Sequence, residues 1–262
     1  MAMQFSGESL QVPIREYQRD TDLASVSLVG MVHWADPNFY EEVNRYVAHR
    51  EAEGSSVHYE FVVADVAEIE DAAKDGEYAT LVKMLCLGFG SPLTKNIFRG
   101  LGLVSQLEHV KPKPHWQRHD TTLVGLASNL DSRAALFPAV GGFIGGVSMN
   151  LQKYRGRDVR SEVINGLNRS LRVAEGIEEK STFIDLLDGN YEDAIIKDRN
   201  GIAIAAIQNH LNPPTGDGLT LLWGAAHLRG IGAGLLEMGF ELVREMPVTA
   251  ISSTPKEARY KS

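Results

Sequence analysis

One pattern occurs twice in this chain and constrains its fold more than any other feature: a buried strand followed at once by Gly-x-x-His. In the first copy, the apolar run 25–29 leads into Gly30-Met31-Val32-His33. In the second, the run 219–223 leads into Gly224-Ala225-Ala226-His227. Short apolar runs bounded by turn signals predict buried strands. Because a helical pattern follows each copy, the sequence predicts an α/β fold with a histidine at the end of two strands.

The segment after the first copy predicts a strand–helix–strand unit. Asp36-Pro37 favours a helix start, since Asp can cap free amides and Pro fits the first turn. Apolar residues at helical spacing follow it, and Gly54-Ser55-Ser56 ends the helix. A second strand is predicted at 57–63. Strands joined by a crossover helix are expected to lie parallel with a right-handed connection.

We therefore expect a single α/β domain over residues 1–262, with a central, largely parallel or mixed sheet flanked by helices. Two pseudo-equivalent halves, about 22–90 and about 189–252, would each carry one strand-Gly-x-x-His motif. Between them, about 91–188 predicts a helical middle segment. At 262 residues and 44% hydrophobic content, the chain can bury such a core without disulfides. Further helices are predicted at 66–87, 101–108, 191–211 and 228–238, and a last strand at 241–248.

Composition limits the partners of the protein. The formal net charge of −8, without a basic stripe carrying aromatics, argues against nucleic-acid binding. The polar segment 1–20 has no signal-peptide pattern, and the single Cys86 suits a reducing cytoplasm. The uncharged run 134–151 is glycine-rich and shorter than the roughly 20 strongly apolar residues that span a membrane. It predicts a buried or interface segment, with a homo-oligomer or membrane-surface contact as alternatives, in a cytoplasmic protein without a membrane span.

Three polar residues are expected to meet at one edge of the sheet. His33, Glu60 and His227 all lie at or near the carboxyl ends of predicted strands, where ligands collect in parallel α/β sheets. A carboxylate in so apolar a strand is costly to bury alone, so Glu60 needs a metal, a cation or a histidine as its partner. The alternative role of Glu60 is a salt bridge to Arg199 or another base.

Several neighbouring residues are expected to support this site. Gly30 and Gly224 let the backbone turn sharply or let another group approach closely. His58 shares a strand face with Glu60 and is interpreted as structural or as a support for the site.

Two other kinds of site have little support. The glycines at 230, 232 and 234 come near a dinucleotide fingerprint, but no strand immediately precedes them, so close helix packing is favoured. The sequence contains no Gly-x-Ser-x-Gly motif, which argues against a nucleophilic serine. Cys86 falls within the predicted apolar helix at 66–87, which favours an inert thiol.

Together, these motifs resemble the TraB/Tiki family, which belongs to the wider erythromycin esterase/ChaN-like superfamily. The likeness is carried by Gly30-Met31-Val32-His33 with Tyr59-Glu60, by Asp198-Arg199-Asn200, and by Gly224-Ala225-Ala226-His227-Leu228. A stretch from Leu103-Val104-Ser105-Gln106 through Trp116 and Asp120 adds to it. The likeness covers the chain from about residue 26 to about residue 241.

The resemblance implies an α/β fold with two pseudo-equivalent halves. Tiki-type relatives are metal-dependent proteases whose Gly-x-x-His motifs and a glutamate form the site. By this resemblance, His33, Glu60 and His227 would be metal ligands or catalytic groups, and Arg199 would be a charged residue beside them. Erythromycin-esterase-type relatives use histidine and glutamate to open lactones without a clear metal requirement, and ChaN-like members bind haem. TraB-type members often carry C-terminal membrane helices, and no such helix is predicted from this sequence after residue 241.

We therefore expect a TraB/Tiki-like hydrolase that activates water, with metal assistance, to cleave an amide or ester of peptide or lactone type. Two imidazoles and a carboxylate would hold a divalent ion (Mn, Co, Zn or Fe), and Asp120 would complete the shell if Glu60 is the base. Arg199 would stabilise an oxyanion or bind a substrate carboxylate. In a metal-independent alternative, His33 or His227 takes the proton from water. A non-catalytic protein that binds haem or another small ligand is a further alternative.

Overall fold

The computed structural model describes residues 9–62, 71, 74, 92–129, 158–177, 193–212 and 217–254. The predicted helix at 66–87 with Cys86, the uncharged run 134–151 and much of the predicted helical middle lie outside these residues. The described part is α/β, as predicted, with a six-stranded mixed sheet flanked by helices.

The strands divide into one large sheet and a small separate ladder. The bounds are β1 Ser9–Arg19, β2 Ala24–Met31, β3 Trp34–Ala35, β4 Ser56–Tyr59, β5 Val104–Ser105, β6 Gln117–Arg118, β7 Leu219–Gly224 and β8 Glu241–Ser252. The large sheet has the order β6-β4-β7-β2-β1-β8, and β3 pairs with β5 alone. The first four strands of that order run parallel, whereas β1 is antiparallel to both β2 and β8.

Seven α-helices lie in the described part of the chain. The bounds are α1 Pro37–Ala52, α2 Pro92–Gly100, α3 Gln106–His109, α4 Leu123–Asn129, α5 Val159–Ala174, α6 Asp198–His210 and α7 Leu228–Glu237. A π-helical turn, Asp193–Lys197, leads into α6, and a 3₁₀ turn, Ala225–His227, leads into α7. None of the helices in the described ranges is long and apolar enough to cross a membrane.

The sheet lies between two apolar layers because its central strands alternate their buried side chains. In β7, Leu222 packs on the side of α1 and α5, whereas Leu221 and Trp223 pack on the side of α6 and α7. In β2, Val29 and Leu28 divide in the same way. A strand covered on both faces needs an almost continuous apolar run, which is the pattern that predicted both strands.

The parallel relation between β2 and β4 is confirmed, but the two strands are not neighbours. β7 lies between them and pairs parallel with both, although it comes about 160 residues later in the chain. β4 also ends at Tyr59 rather than at the predicted residue 63. The second Gly-x-x-His motif is therefore placed between the two strands of the first half.

Three further local predictions differ from the structure. The predicted helix at 101–108 is wrong, because Val104 and Ser105 pair with β3 and the helix begins only at Gln106. Asp36 begins α1 without capping it, since its carboxylate instead accepts from Arg160 and from the Ser252 backbone N–H. Strand β1 was not predicted, because charged and polar residues are interspersed with its buried apolar positions. In each case a partner distant in sequence overrides the local pattern.

Candidate active site

Each of the four parallel strands ends beside one polar residue of the predicted site. His33 follows β2, His227 follows β7, Glu60 follows β4 and Asp120 follows β6. Parallel strands bring their carboxyl ends to one edge of a sheet, and adjacent strands lie about 4.8 Å apart. The strand order therefore places the four residues along one rim, in the spatial order Asp120, Glu60, His227 and His33.

Arg199, in the first turn of α6, joins the two carboxylates of this rim. Its Nε donates to Asp120 Oδ1 at 3.0 Å, its Nη2 donates to Asp120 Oδ2 at 2.9 Å, and Nη2 also donates to Glu60 Oε1. The Asp120 side chain is 0% exposed and that of Glu60 is 12% exposed. The salt bridge considered as the alternative role of Glu60 is therefore present. One guanidinium between two carboxylates gives the group a formal net charge of −1.

Gly224 allows the Glu60 carboxylate to approach the main chain. Its backbone N–H donates to Glu60 Oε2. A Cβ at this position would lie 3.2 Å from Glu60 Oε2 and 3.2 Å from His227 Cδ2. The φ of Gly224 is −52°, an ordinary value, so this position requires close approach and not a special turn.

Gly30 is placed differently, although its sequence context is the same. A Cβ there would lie 2.4 Å from Val12 Cγ1, 3.0 Å from the Pro13 carbonyl oxygen and 3.2 Å from Leu228 Cδ2. These atoms belong to β1 and α7, and none belongs to the carboxylate group. Gly30 therefore supports the packing of the sheet.

His227 is buried against the carboxylate group and is 3% exposed. Its Nδ1 lies 2.9 Å from Asn200 Oδ1, and its Nε2 lies 3.6 Å from Glu60 Oε1. Desolvation is the main cause that lowers the pKa of His227; Glu60 opposes the shift, and Arg199 adds to it. The ring is therefore neutral near pH 7 and able to accept a proton.

His33 is exposed at the mouth of the same site. Its carbonyl oxygen accepts a hydrogen bond from the Gln106 backbone N–H at 3.0 Å. Its ring forms a second hydrogen bond with the Gln106 side chain. Although solvent reaches one side of the residue, the surrounding protein desolvates the ring and lowers its pKa, with Glu60 opposing and Arg199 adding to that shift. Both motif histidines are thus influenced by the same two charged residues.

His58 lies in a separate buried cluster. Its ring centroid is 4.5 Å from that of His119 and 5.3 Å from that of His210. The residue is 2% exposed, and neither ring nitrogen has a hydrogen-bond partner in the described structure. Desolvation, with smaller contributions from the two neighbouring histidines, lowers the pKa of His58 to about 4. These contacts favour a structural role over a direct part in the site.

The donor atoms do not form the predicted three-ligand set as they stand. Over the described ranges, no group of three His, Cys, Asp or Glu side chains is arranged to hold a metal ion. Both oxygens of Glu60 already accept hydrogen bonds, one of them from the Arg199 guanidinium. A second cation beside that guanidinium would be repelled by it. The requirement for a metal therefore stays a prediction from the resemblance.

Two residues of the site have no role that the sequence alone indicates. Asn200 lies in the Asp198-Arg199-Asn200 stretch that carries the resemblance, but nothing local indicates that its side chain reaches His227. Gln106 meets His33 because the β3–β5 ladder brings 104–106 beside the end of β2. The sequence suggests Asp120 only as an additional metal ligand, whereas its side chain is buried and pairs with Arg199.

The sequence and the fold do not relate this chain to a known protein at a significant level. No protein-family model, no curated protein and no solved structure gives a significant match to it. The relation to the TraB/Tiki family therefore rests on the motifs and remains a prediction.

Proposed function

We propose that this chain is a hydrolase that activates water to cleave an ester or amide bond, with His227 as the base and Glu60 beside it. The observation that carries the proposal is the pairing of a buried, neutral imidazole with a carboxylate at 3.6 Å. That distance is longer than a direct hydrogen bond. It suits a water molecule that donates one hydrogen to Nε2 and the other to Oε1.

Proton transfer follows from the charges around the ring. When the water attacks the substrate carbonyl, His227 takes its proton and becomes an imidazolium. The Glu60–Asp120–Arg199 group carries one net negative charge next to that ring, and it stabilises the imidazolium as it forms. Low exposure strengthens this interaction because little solvent screens it.

Arg199 acts in this proposal by fixing Glu60. Its Nε and Nη2 are engaged by the two carboxylates, so these atoms are committed within the protein. This arrangement favours a positioning role over the oxyanion or substrate-carboxylate contact expected from the sequence. His33 at the mouth is suited to contact the substrate or the leaving group, since it is exposed and its lowered pKa keeps it neutral.

The test is turnover of a panel of p-nitrophenyl esters, lactones and fluorogenic peptides. We expect turnover by the wild type, and a loss of roughly 10²–10³-fold in Glu60→Gln because the neutral amide removes the charge that stabilises the imidazolium. Glu42→Gln, an exposed carboxylate on α1, is the matched control and should retain full activity. Unchanged activity in Glu60→Gln, or no turnover of any substrate in the panel, would contradict the proposal.

Two further measurements separate the alternatives. Dialysis against EDTA should leave the activity unchanged; a loss that added Mn²⁺ or Zn²⁺ restores would instead support the metal-assisted hydrolase. A Soret band on titration with haem, together with absence of turnover, would support the non-catalytic binding protein.

We also propose a cytoplasmic location, a small-molecule or peptide substrate, and membership of the TraB/Tiki family. The single cysteine supports the location, the proposed water-activating site supports the substrate class, and the paired motifs support the family. A homo-oligomer stays an expectation. Cell fractionation tests the location, and sedimentation of the purified chain tests the oligomeric state.

A further inference from the structure

The side chain of Asn200 contacts the His227 ring. Asn200 lies next to Arg199 in the first turn of α6, and its Oδ1 lies 2.9 Å from His227 Nδ1. A carbonyl oxygen only accepts hydrogen bonds, so this contact requires a proton on Nδ1.

The other ring nitrogen follows from this arrangement. A neutral imidazole carries one proton, so a proton held on Nδ1 leaves Nε2 with a free lone pair. Nε2 is the atom 3.6 Å from Glu60 Oε1. The nitrogen able to accept a proton is therefore the one that faces the carboxylate.

Gly230 provides the space that the Asn200 amide occupies. It lies in the first turn of α7, and a Cβ there would lie 2.1 Å from Asn200 Nδ2 and 3.0 Å from Asn200 Cγ. One turn later, a Cβ at Gly234 would lie 2.4 Å from Ile204 Cδ1. These glycines lie where α7 packs against α6, which agrees with the prediction of close helix packing for the run 230–234.

We propose that Asn200 is a positioning residue that holds His227 with Nδ1 protonated and Nε2 as the base, and that Gly230 is the position that lets its amide reach the ring. The inference rests on the proposed function for its catalytic consequence. The tautomer itself is a property of the folded chain, and it can be measured without any substrate.

The direct test is long-range ¹H–¹⁵N correlation spectroscopy of the histidine rings at pH 8, with His227→Gln used to assign the signals. Wild type should show Nδ1 as the protonated nitrogen of His227. Asn200→Leu should shift the ring towards the Nε2-protonated form, whereas Asn200→Asp should keep Nδ1 protonated and raise the pKa of His227. An Nε2-protonated ring in wild type, or an unchanged tautomer in Asn200→Leu, would overturn the proposal.

Two alanine variants test the role of Gly230. Gly230→Ala should shift the His227 tautomer in the same direction as Asn200→Leu. Gly201→Ala on α6, where nothing lies within 4 Å of the added Cβ, should leave the spectrum unchanged. A native spectrum in Gly230→Ala would remove Gly230 from the proposal.

Activity on p-nitrophenyl acetate adds a kinetic readout. Asn200→Leu should lower kcat by up to the roughly 10²–10⁴-fold that a general base contributes, with KM little changed. Asn200→Asp should recover much of the activity and move the acidic limb of the pH profile upward. Asn209→Ala, exposed on the same helix, should behave as wild type. If the wild-type chain turns over no ester, lactone or peptide of the panel, the proposed function fails, while the tautomer result still decides the role of Asn200.

Discussion

The two Gly-x-x-His motifs have the same sequence pattern and different surroundings. The first glycine, Gly30, packs against β1 and α7, and its histidine, His33, is exposed beside Gln106. The second glycine, Gly224, donates to the Glu60 carboxylate, and His227 is buried between that carboxylate and Asn200. The shared pattern therefore sets the position of each histidine at the end of a strand, and it does not set the contacts that the histidine makes.

The neighbouring strands account for this difference. β7 has parallel partners on both sides, so the end of β4 places Glu60 next to the second motif. β2 has the antiparallel β1 on its other side, and β1 places Val12 and Pro13 beside Gly30. A short motif therefore specifies a position in the sheet, and its chemistry depends on the strand beside it.

The largest expected difference between the motifs is catalytic. His227→Ala should lower kcat/KM on the best ester by about 10²–10⁴-fold because it removes the base. His33→Ala should lower it by about tenfold, near 1.4 kcal/mol of barrier, because this ring lies at the mouth. Steady-state kinetics measures both. Equally severe losses would make the motifs equivalent and support shared metal ligation.

Arg199 lowers the pKa of both motif histidines, so replacing it tests an influence that the two motifs share. Arg199→Met leaves the buried Asp120 and Glu60 carboxylates unpaired, which should lower the free energy of unfolding by about 3–5 kcal/mol in urea titrations. The pKa values of His33 and His227 should both rise, since the guanidinium lowers them. Arg99→Met breaks an exposed ion pair and should cost less than about 1 kcal/mol. A change confined to one histidine would separate the two motifs.

His58 provides a reference for histidines without polar partners. Its pKa is about 4 in the folded chain and near 6.5 when unfolded, so between these values the unfolded chain binds a proton that the folded chain does not. Stability should therefore fall as the pH falls from 6.5 to 4. His58→Phe should reduce that fall by about 3 kcal/mol, measured as the difference between urea titrations at the two pH values. The exposed His49→Ala is the control, and an equal acid sensitivity in His58→Phe would contradict the assigned pKa.

The smallest effects should separate the two glycines. Gly30→Ala places a Cβ against Val12 and the Pro13 carbonyl oxygen, which should lower stability by about 1–3 kcal/mol. Gly224→Ala meets its neighbours at 3.2 Å, so stability should change by less than about 1 kcal/mol while activity falls as Glu60 and the ring move. Thermal unfolding and ester kinetics on both variants test this. The reverse pattern would place the first motif in the site.

Much of this site was predictable from the sequence because apolar runs identify parallel strands, and parallel strands end at one edge. That reasoning placed His33, Glu60 and His227 at the rim and named Arg199 as a partner of Glu60. It assigned no role to Asn200 and Gln106, although both lie in stretches that carry the resemblance, because their contacts depend on how a helix and a two-residue ladder pack. It also missed β1, whose buried alternation is interrupted by Arg15 and other polar residues.

The sequence by itself determined that this chain forms an α/β sheet and that two histidines leave it directly after strands. These features are local, since side-chain periodicity and turn residues set them over a few positions. Only the tertiary structure decided the order of the strands, and with it the insertion of β7 between β2 and β4. That order placed Glu60 beside His227 and left His33 at the mouth, and the packing of α6 against α7 placed Asn200 against the His227 ring. The physical reason is that a carboxylate, a guanidinium and an imidazole act on one another only at contact distance, which strand pairing and helix packing set.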